Sequence, residues 1–335
     1  MKRTRTWIGG TPFAKSTSLP TAILSADWHI RPTVPVCRTD DFMAAMWRKV
    51  DFVFDLAVEN RVPILLAGDI CLKSQWPNWL EEEFIRKVKS TSTANGGRPV
   101  DIFAIPGQHD LPDHNLDLWR KSSIGVLHAA EAINLFGVGI VEDAGGLYKL
   151  GECSIFPFPF GVEVSHLDRK KYVTADPVVA ITHTLVTERA PEEFLEKYGA
   201  QSAISMLKKF PEYDLILTGD NHKPFVVECE GRLLINPGSL MRTTADQVDH
   251  KPRVYLWYAQ ENRVEPVYLP IEEGVVDRTH IDLQEAKDER IEAYVSRLSE
   301  EVEIGLSFEG NLESYFRTNR VRKPVQDKVW SAMPK

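Results

Sequence analysis

Cysteine is scarce in this 335-residue chain, and its four copies, Cys37, Cys71, Cys153 and Cys229, never fall at a Cys-x-x-Cys spacing. That argues against a zinc ribbon and a disulfide framework, and it points to reduced, structural thiols. No apolar stretch is long enough to cross a bilayer. The basic residues Lys2, Arg3 and Arg5 are not followed by an apolar segment of signal-peptide length, so a cytoplasmic protein is expected. An excess of positive charge is missing as well: 40 basic against 48 acidic residues leave a net charge of −8. Attraction to nucleic acid therefore cannot come from the chain as a whole, and any such contact must be local. Internal repeats and low-complexity tracts are absent, which sets aside solenoids and disordered arrays.

What the chain does have is a series of strongly apolar runs, each followed at once by residues that bind metal ions. Ala22-Ile23-Leu24 leads to Asp27-Trp28-His29, and Ile64-Leu65-Leu66 leads to Gly68-Asp69. Ile102-Phe103-Ala104-Ile105 leads to Gly107-Gln108-His109-Asp110. Further on, Val178-Val179-Ala180-Ile181 precedes Thr182-His183-Thr184, and Leu215-Ile216-Leu217 precedes Gly219-Asp220-Asn221-His222. Such runs read as buried strands, and a site assembled where strands of one sheet end is a common scaffold. Any one of these segments alone reads as a turn or a cap. Five in one chain point to a metal site.

Residues 1–20, with Gly9-Gly10 and a Ser/Thr cluster, read as a flexible leader. From Thr21 to Asp110 strand and helix alternate. The stripe Phe42, Met46, Val50, Val53 and Ala57 behind Asp40-Asp41 marks one helix, and Asn78 to Val88 another, as in stacked βαβ units. Short glycine-punctuated runs between about 125 and 183 suit a second sheet, and helices are expected at 191–198 and 202–210. The stretch Phe225 to Leu269 reads as antiparallel strands joined by turns at Glu230-Gly231 and Gln260-Glu261-Asn262. After Pro270 the composition becomes strongly charged. A strand at His280–Leu283, a helix at Gln284–Leu298, a strand at Ile304–Phe308 and a helix at Leu312–Phe316 would make a small module of 271–335.

Two divalent ions about 3.5–4 Å apart can clamp both oxygens of a phosphoryl transfer, and they need several ligands each plus a shared carboxylate. Asp27 and His29, two apart in extended chain, can address one ion. Asp69 is the best bridge, because a carboxylate can give one oxygen to each ion and an imidazole cannot.

Asp-x-His, Gly-Asp, a Gly-Asn-His-Asp/Glu element, a lone His and Gly-His-x-His, in this order, resemble the calcineurin-like metallophosphoesterases over Asp27 to His222. The resemblance implies an α/β fold, a four-layer α/β/β/α sandwich of two mixed sheets, spanning 21–270, with the C-terminal 271–335 as a small α+β module for capping or partner binding. Within the superfamily the chain looks most like the SbcD-type DNA nuclease subunit of bacterial and phage recombination complexes. The supports are its length, Asp27-Trp28-His29, Ile105-Pro106-Gly107-Gln108-His109-Asp110, Asn236-Pro237-Gly238-Ser239 and the C-terminal module. This likeness implies a metal-dependent phosphodiesterase cleaving DNA by attack of metal-activated water, in a bacterial or phage-infected cell, with an SbcC-type SMC-like ATPase partner or a homodimer. Two alternatives stand beside it: a small-molecule phosphodiesterase or phosphatase, and a catalytically impaired DNA-end-binding scaffold.

Carried onto this chain, the resemblance assigns Asp27, His29 and His222 to one ion and His183 to the other, with Asp69 bridging. His109 becomes the non-ligand histidine that assists the leaving oxygen, the other reading being a core-facing or metal-ligating ring. Gln108 stands for the family's asparagine and Asp220 for its first histidine. Both keep a ligand atom for the second ion, and the carboxylate of Asp220 in place of an imidazole favours Mn²⁺, or Mg²⁺, over softer-liganded metals. Asn236–Ser239 is read either as backbone facing the metals or as a tight turn. Trp76 and Trp79 read as core or as a base-stacking surface, and Arg320–Lys323 as a solvated or phosphate-touching basic run. His114, His128, His166, His250 and His280 lack ligand spacing and read as surface or packing residues.

Overall fold

The computed structural model describes residues 18–138, 148–172, 177–189, 192–279 and 308–332. The first strands, β1 (Ala22–Ser25), β2 (Ile64–Leu66), β3 (Ile102–Ala104) and β4 (Asn134–Leu135), run parallel. Their crossovers carry α1 (Phe42–Asn60), α2 (Asn78–Ser90) and α3 (Ser123–Ala129). α1 begins where the Asp41 carboxylate accepts the Ala44 amide at 3.1 Å, a side-chain N-cap, and it ends on Arg61 in the left-handed conformation.

The second sheet is built from β5 (Tyr148–Leu150), β6 (Cys153–Phe158), β7 (Val178–Thr182), β10 (Leu215–Thr218), β11 (Phe225–Cys229) and β12 (Arg232–Asn236). Its order is β11-β12-β10-β7-β6-β5, with parallel pairing in the centre and antiparallel strands at both edges. Helix α4 (Arg169–Tyr172), the short strands β8 (Val186–Thr187) and β9 (Gln201–Ser202), and helices α5 (Glu192–Tyr198) and α6 (Ala203–Lys209) lie between β6 and β10 in the chain.

The expected antiparallel strands after Phe225 form two pairs. β11 and β12 complete the second sheet, whereas β13 (Arg253–Tyr258) and β14 (Arg263–Tyr268) return to the first, giving β14-β13-β1-β2-β3-β4. The connection from β12 to β13 is therefore not a hairpin: the chain leaves β12 through Pro237-Gly238-Ser239 and crosses between sheets before β13 starts.

Each sheet is buried on both faces, which is why its central strands read as continuous apolar runs and not as alternation. Leu24, Leu65, Ile105, Ile181, Leu217 and Trp257 pack between the sheets. Phe42, Met46, Val53, Phe54 and Phe84 of α1 and α2 cover the outer face of the first sheet, and Met206, Leu207 and Phe210 that of the second. The result is the two-sheet sandwich with outer helices. Cys37, Cys71 and Cys153 are buried and reduced, and Cys229 is half-buried and reduced.

The chain divides into two units, 1–277 and 278–335. Residues 271–277 stay with the first: the Asp277 amide donates to the Cys37 carbonyl at 2.7 Å and the Thr39 amide to that of Val275 at 3.1 Å. In the second unit α7 (Phe308–Thr318) and α8 (Lys323–Ala332) form a helical pair closed by Phe316 against Trp330, ring centroids 6.0 Å apart. Helix Leu312–Phe316 lies within α7. The strand and helix at 280–298 and most of the strand at 304–308 fall outside the described residues, but Phe308 itself begins a helix. α8 is unanticipated, although Pro324 in its first turn is a helix-start signal. Arg320–Lys323 occupies the turn between the two helices and the start of α8.

Candidate metal centre

Every ligand-bearing segment follows the carboxyl end of a parallel strand, three from the first sheet and two from the second, so the two sheets deliver their side chains to one edge of the sandwich. The backbone bends hard to do this. Asp27 (φ 51°), His29 (φ 45°), Asp69 (φ 54°) and Asp220 (φ 73°) all sit in the left-handed region, which costs non-glycine residues roughly 1–3 kcal/mol each. Such strain persists only where surrounding contacts impose it. Two glycines supply the necessary close approach: a Cβ on Gly107 would overlap the Asp69 carboxylate, and one on Gly219 would overlap the Ala67 carbonyl and the His183 ring.

Three overlapping groups of donors result, one of which includes His109. Ligand atoms of Asp27, His29 and His222 lie within 4.8 Å of one another, as do those of Asp27, Asp69 and His183. His29 Nε2 meets His222 Nε2 at 3.0 Å, and His183 Nε2 lies 3.3 Å from Asp69 Oδ2. The supporting hydrogen bonds fix which atoms remain available. His183 Nδ1 donates to the Ala67 carbonyl at 2.7 Å, which turns Nε2 inward. Asp69 Oδ1 accepts the His109 amide at 2.9 Å and Asp27 Oδ1 the Asp220 amide at 3.1 Å. Asp27 Oδ2, Asp69 Oδ2 and His183 Nε2 are left buried with no hydrogen-bond partner. Buried polar atoms that make no hydrogen bond are costly, and these three, which converge, fit a cation once His183 has released its proton. The donor set is nitrogen and oxygen without thiolate, which suits divalent ions of the harder kind.

Charge follows the same geometry. Burial pushes the Asp27 carboxyl well above the usual carboxylate range, and it drives His29 down to about 3. Burial also opposes the charges on Asp69 and His183, but their mutual attraction prevails. It holds Asp69 down to about 2 and lifts His183 to about 10. In the ion-free protein these two form an ion pair, and His183 must release its proton to serve as a ligand.

Gln108 and Asp220 are brought together with each other: the Gln108 amide donates to Asp220 Oδ1 at 2.8 Å. The His109 ring, half-buried, brings a nitrogen within 4.8 Å of ligand atoms of His29 and Asp69, with its centroid 5.2 Å from that of His29. It is near enough to join either the ion or the substrate.

Asp110 was not singled out from the sequence, yet its buried carboxylate stitches two of the loops. Oδ1 accepts the Cys71 amide at 2.8 Å and Oδ2 the Gly107 amide at 2.9 Å. Burial and the nearby Asp69 charge push it up to about 7. Asn236 does the same for the His222 loop. Fully buried, its amide donates to the carbonyls of Asn221 (2.5 Å) and Lys223 (2.8 Å), while the Ser239 amide donates to the His222 carbonyl at 3.2 Å. Replacing Asn236 with alanine removes both hydrogen bonds, so a loss of about 1–3 kcal/mol of stability is expected. Urea denaturation checks the stability, and elemental analysis of the folded variant checks the accompanying loss of metal.

Beside His222 opens a cleft of about 350 Å³ lined by Leu185, Asp220, Asn221, Lys223, Asp246 and His250 among others. His250 and His114 thus sit nearer the site than their spacing suggested. The His250 ring donates from Nε2 to the Ser239 carbonyl at 2.8 Å, and His114 Nδ1 meets the Gln108 carbonyl at 3.0 Å. His128 packs on Trp119 and His166 pairs with Glu212. His280 lies outside the described residues. Trp76 belongs to the core, whereas Trp79 is half exposed. No helix among the described residues is long and apolar enough to cross a membrane.

Among solved structures, a novel archaeal phosphodiesterase is similar at 14% identity and a TM-score of 0.38, over 74% of this chain and 99% of the other. A Staphylococcus aureus protein described as a 5′-nucleotidase is similar at 16% identity and a TM-score of 0.41, over 76% of this chain and 54% of its own. A search of curated proteins finds no match. Residues 21–224 match the calcineurin-like phosphoesterase family, the segment that holds every proposed ligand, and the chain belongs to that family.

Proposed function

We propose that the protein is a two-metal phosphodiesterase that cleaves DNA, as an exo- or endonuclease of a recombination or repair complex. The observation that carries the reading is the convergence of Asp27, His29, Asp69, His183 and His222, three of whose ligand atoms are buried and unpartnered. Asp27, His29 and His222 would hold one ion and His183 the other. Asp69 would bridge them, with Gln108 and Asp220 completing the ligand set of the second ion. When bound, two divalent ions, Mn²⁺ in this reading with Mg²⁺ as the alternative, supply activated water and neutralise the phosphate oxygens. His109, half-buried and with its amide bonded to Asp69, would deliver a proton to the departing sugar oxygen. DNA as substrate, and an SbcC-type ATPase as partner, rest on the SbcD-like motifs and the C-terminal unit.

A second reading, a small phosphoester as substrate, is favoured by the cleft itself. Its lining has one lysine, two aspartates and no tryptophan, tyrosine or phenylalanine on which an unpaired base would stack. A panel of linear DNA, hairpin DNA, a cyclic nucleotide and bis-aryl phosphate, each with Mn²⁺ and with chelator, separates the two. Cleavage of DNA that chelator abolishes is the expected result. Intact DNA beside rapid turnover of the small esters moves the substrate to the second reading. Far fewer than two ions per chain would favour the scaffold alternative.

A further inference from the structure

β6 reaches the same edge of the sandwich as the ligand-bearing strands without bringing a ligand. It runs beside β7 in parallel register, Phe158 opposite Thr182, so the segment that follows it emerges next to His183. That segment, Pro159-Phe160-Gly161, holds no metal-binding side chain, and what it delivers is a phenyl ring. The Phe160 amide donates to the Pro106 carbonyl at 3.0 Å, which ties the segment to the loop of Gln108 and His109. The turn Pro112–His114 brings a second ring to the same place. His114 Nδ1 meets the Gln108 carbonyl at 3.0 Å. Asp113 (φ 51°) and His114 (φ 55°) both hold the left-handed backbone, a strain that collects at binding sites.

The two rings join the imidazoles of the centre in one series. From His109 the centroid distances run 6.4 Å to His114, 6.2 Å on to Phe160 and 6.4 Å on to His183. Both ends of the series are set by Asp69, whose carboxylate accepts the His109 amide and lies 3.3 Å from His183 Nε2. Phe160 rests against the core of the first sheet and is only half-buried, and His114 is exposed, so both rings are held in place and both are reached by solvent. The cleft beside His222 offers no phenylalanine, tyrosine or tryptophan of this kind.

We propose that His114 and Phe160 form the binding wall for an unpaired nucleobase, that of the nucleoside whose sugar oxygen leaves. This rests on the phosphodiesterase reading above and narrows its substrate. Position carries it. In that reading His109 protonates the leaving sugar oxygen, and the base of the same nucleoside lies one sugar farther out. His114, one ring beyond His109, is where that base arrives, with Phe160 as the next surface. Every base has a π-face, so the wall selects for a base over a plain alkyl ester and reads no sequence. A base inside a duplex has its faces covered by its neighbours. The substrate class is therefore a single-stranded or frayed end.

The test compares a thymidine dinucleotide with two analogues, each lacking one base but keeping its deoxyribose, in full-length protein loaded with Mn²⁺. Removing the base of the leaving nucleoside should raise KM roughly 10-fold or more, the worth of one base–aromatic stack, with kcat little changed. Removing the other base should change KM far less. Phe160→Leu should erase the difference by raising KM for the intact dinucleotide, and Phe160→Tyr should preserve it. Both variants should keep the native metal content, which a general loosening around His183 would lower. Equal KM for all the dinucleotides in native protein overturns the proposal and leaves phosphodiester cleavage standing, a comparison that needs no variant to fold. So does a loss confined to the other base, and so does discrimination that survives Phe160→Leu. Turnover of bis-aryl phosphate with no dinucleotide cleaved sinks the nucleic-acid reading itself, and the proposal with it.

Discussion

Asp69→Asn is expected to lower phosphodiester hydrolysis by roughly 10³-fold or more while leaving the fold intact. The substitution is nearly isosteric, and an amide oxygen can still accept the His109 amide that Asp69 Oδ1 now takes at 2.9 Å. What disappears is the charge at Oδ2, the buried, unpartnered oxygen 3.3 Å from His183 Nε2 and 3.8 Å from His29 Nε2. An NH₂ group in that position can ligate neither ion. Elemental analysis should therefore show metal falling together with activity on bis-aryl phosphate, and full activity in the variant would sink the two-metal scheme.

The ion-free proteins should differ as well. The pair's contribution to stability has two limits. His183, raised to about 10, contributes fully below its unfolded value of about 6.5, and that contribution is lost as pH rises through about 10. Asp69, depressed to about 2, contributes above its unfolded value of about 3.9, and that is lost as pH falls through about 2. Between about pH 4 and 6.5 the ion-free native protein should thus exceed the variant in stability by the full worth of the pair, which urea titrations at several pH values will show. The advantage should shrink toward either end.

The position of the centre was legible because parallel strands buried on both faces leave an unmistakable apolar run, and the functional loop must follow its carboxyl end. Asp27, Asp69 and His183 could be picked out for that reason before any contact was known. Relations between loops are a different matter. That Gln108 donates to Asp220, 112 positions away, depends on how the two sheets are set against each other, which no local pattern encodes. Asp110 was visible only as the last letter of a motif, because its work is done on the Cys71 and Gly107 amides and backbone groups carry no sequence signal. His250 was passed over since it reaches the cleft across a loop instead of following a strand. The same limit explains the strands after Phe225: hairpin chemistry predicts that β11 pairs with β12 and β13 with β14, but not which sheet each pair joins.

His109→Gln should separate proton delivery from metal binding. In the proposed reading the imidazole protonates the leaving oxygen, so its loss costs roughly 10²–10⁴-fold in kcat when the leaving group is a sugar alkoxide. A nitrophenolate leaves without protonation, and bis(nitrophenyl) phosphate should be hydrolysed within about tenfold of the native rate, since that step needs no general acid. Metal content should stay at the native value. The backbone supports this expectation, because the amide of residue 109 rather than its ring anchors the loop to Asp69, and glutamine preserves that bond. Two results would reverse the assignment. If both substrates slow equally and metal is lost, the ring nitrogen that lies within 4.8 Å of His29 and Asp69 donors is a ligand. If metal stays and both substrates slow equally, His109 positions the phosphate or stabilises its charge, because only a proton donor makes the defect grow with the basicity of the leaving group.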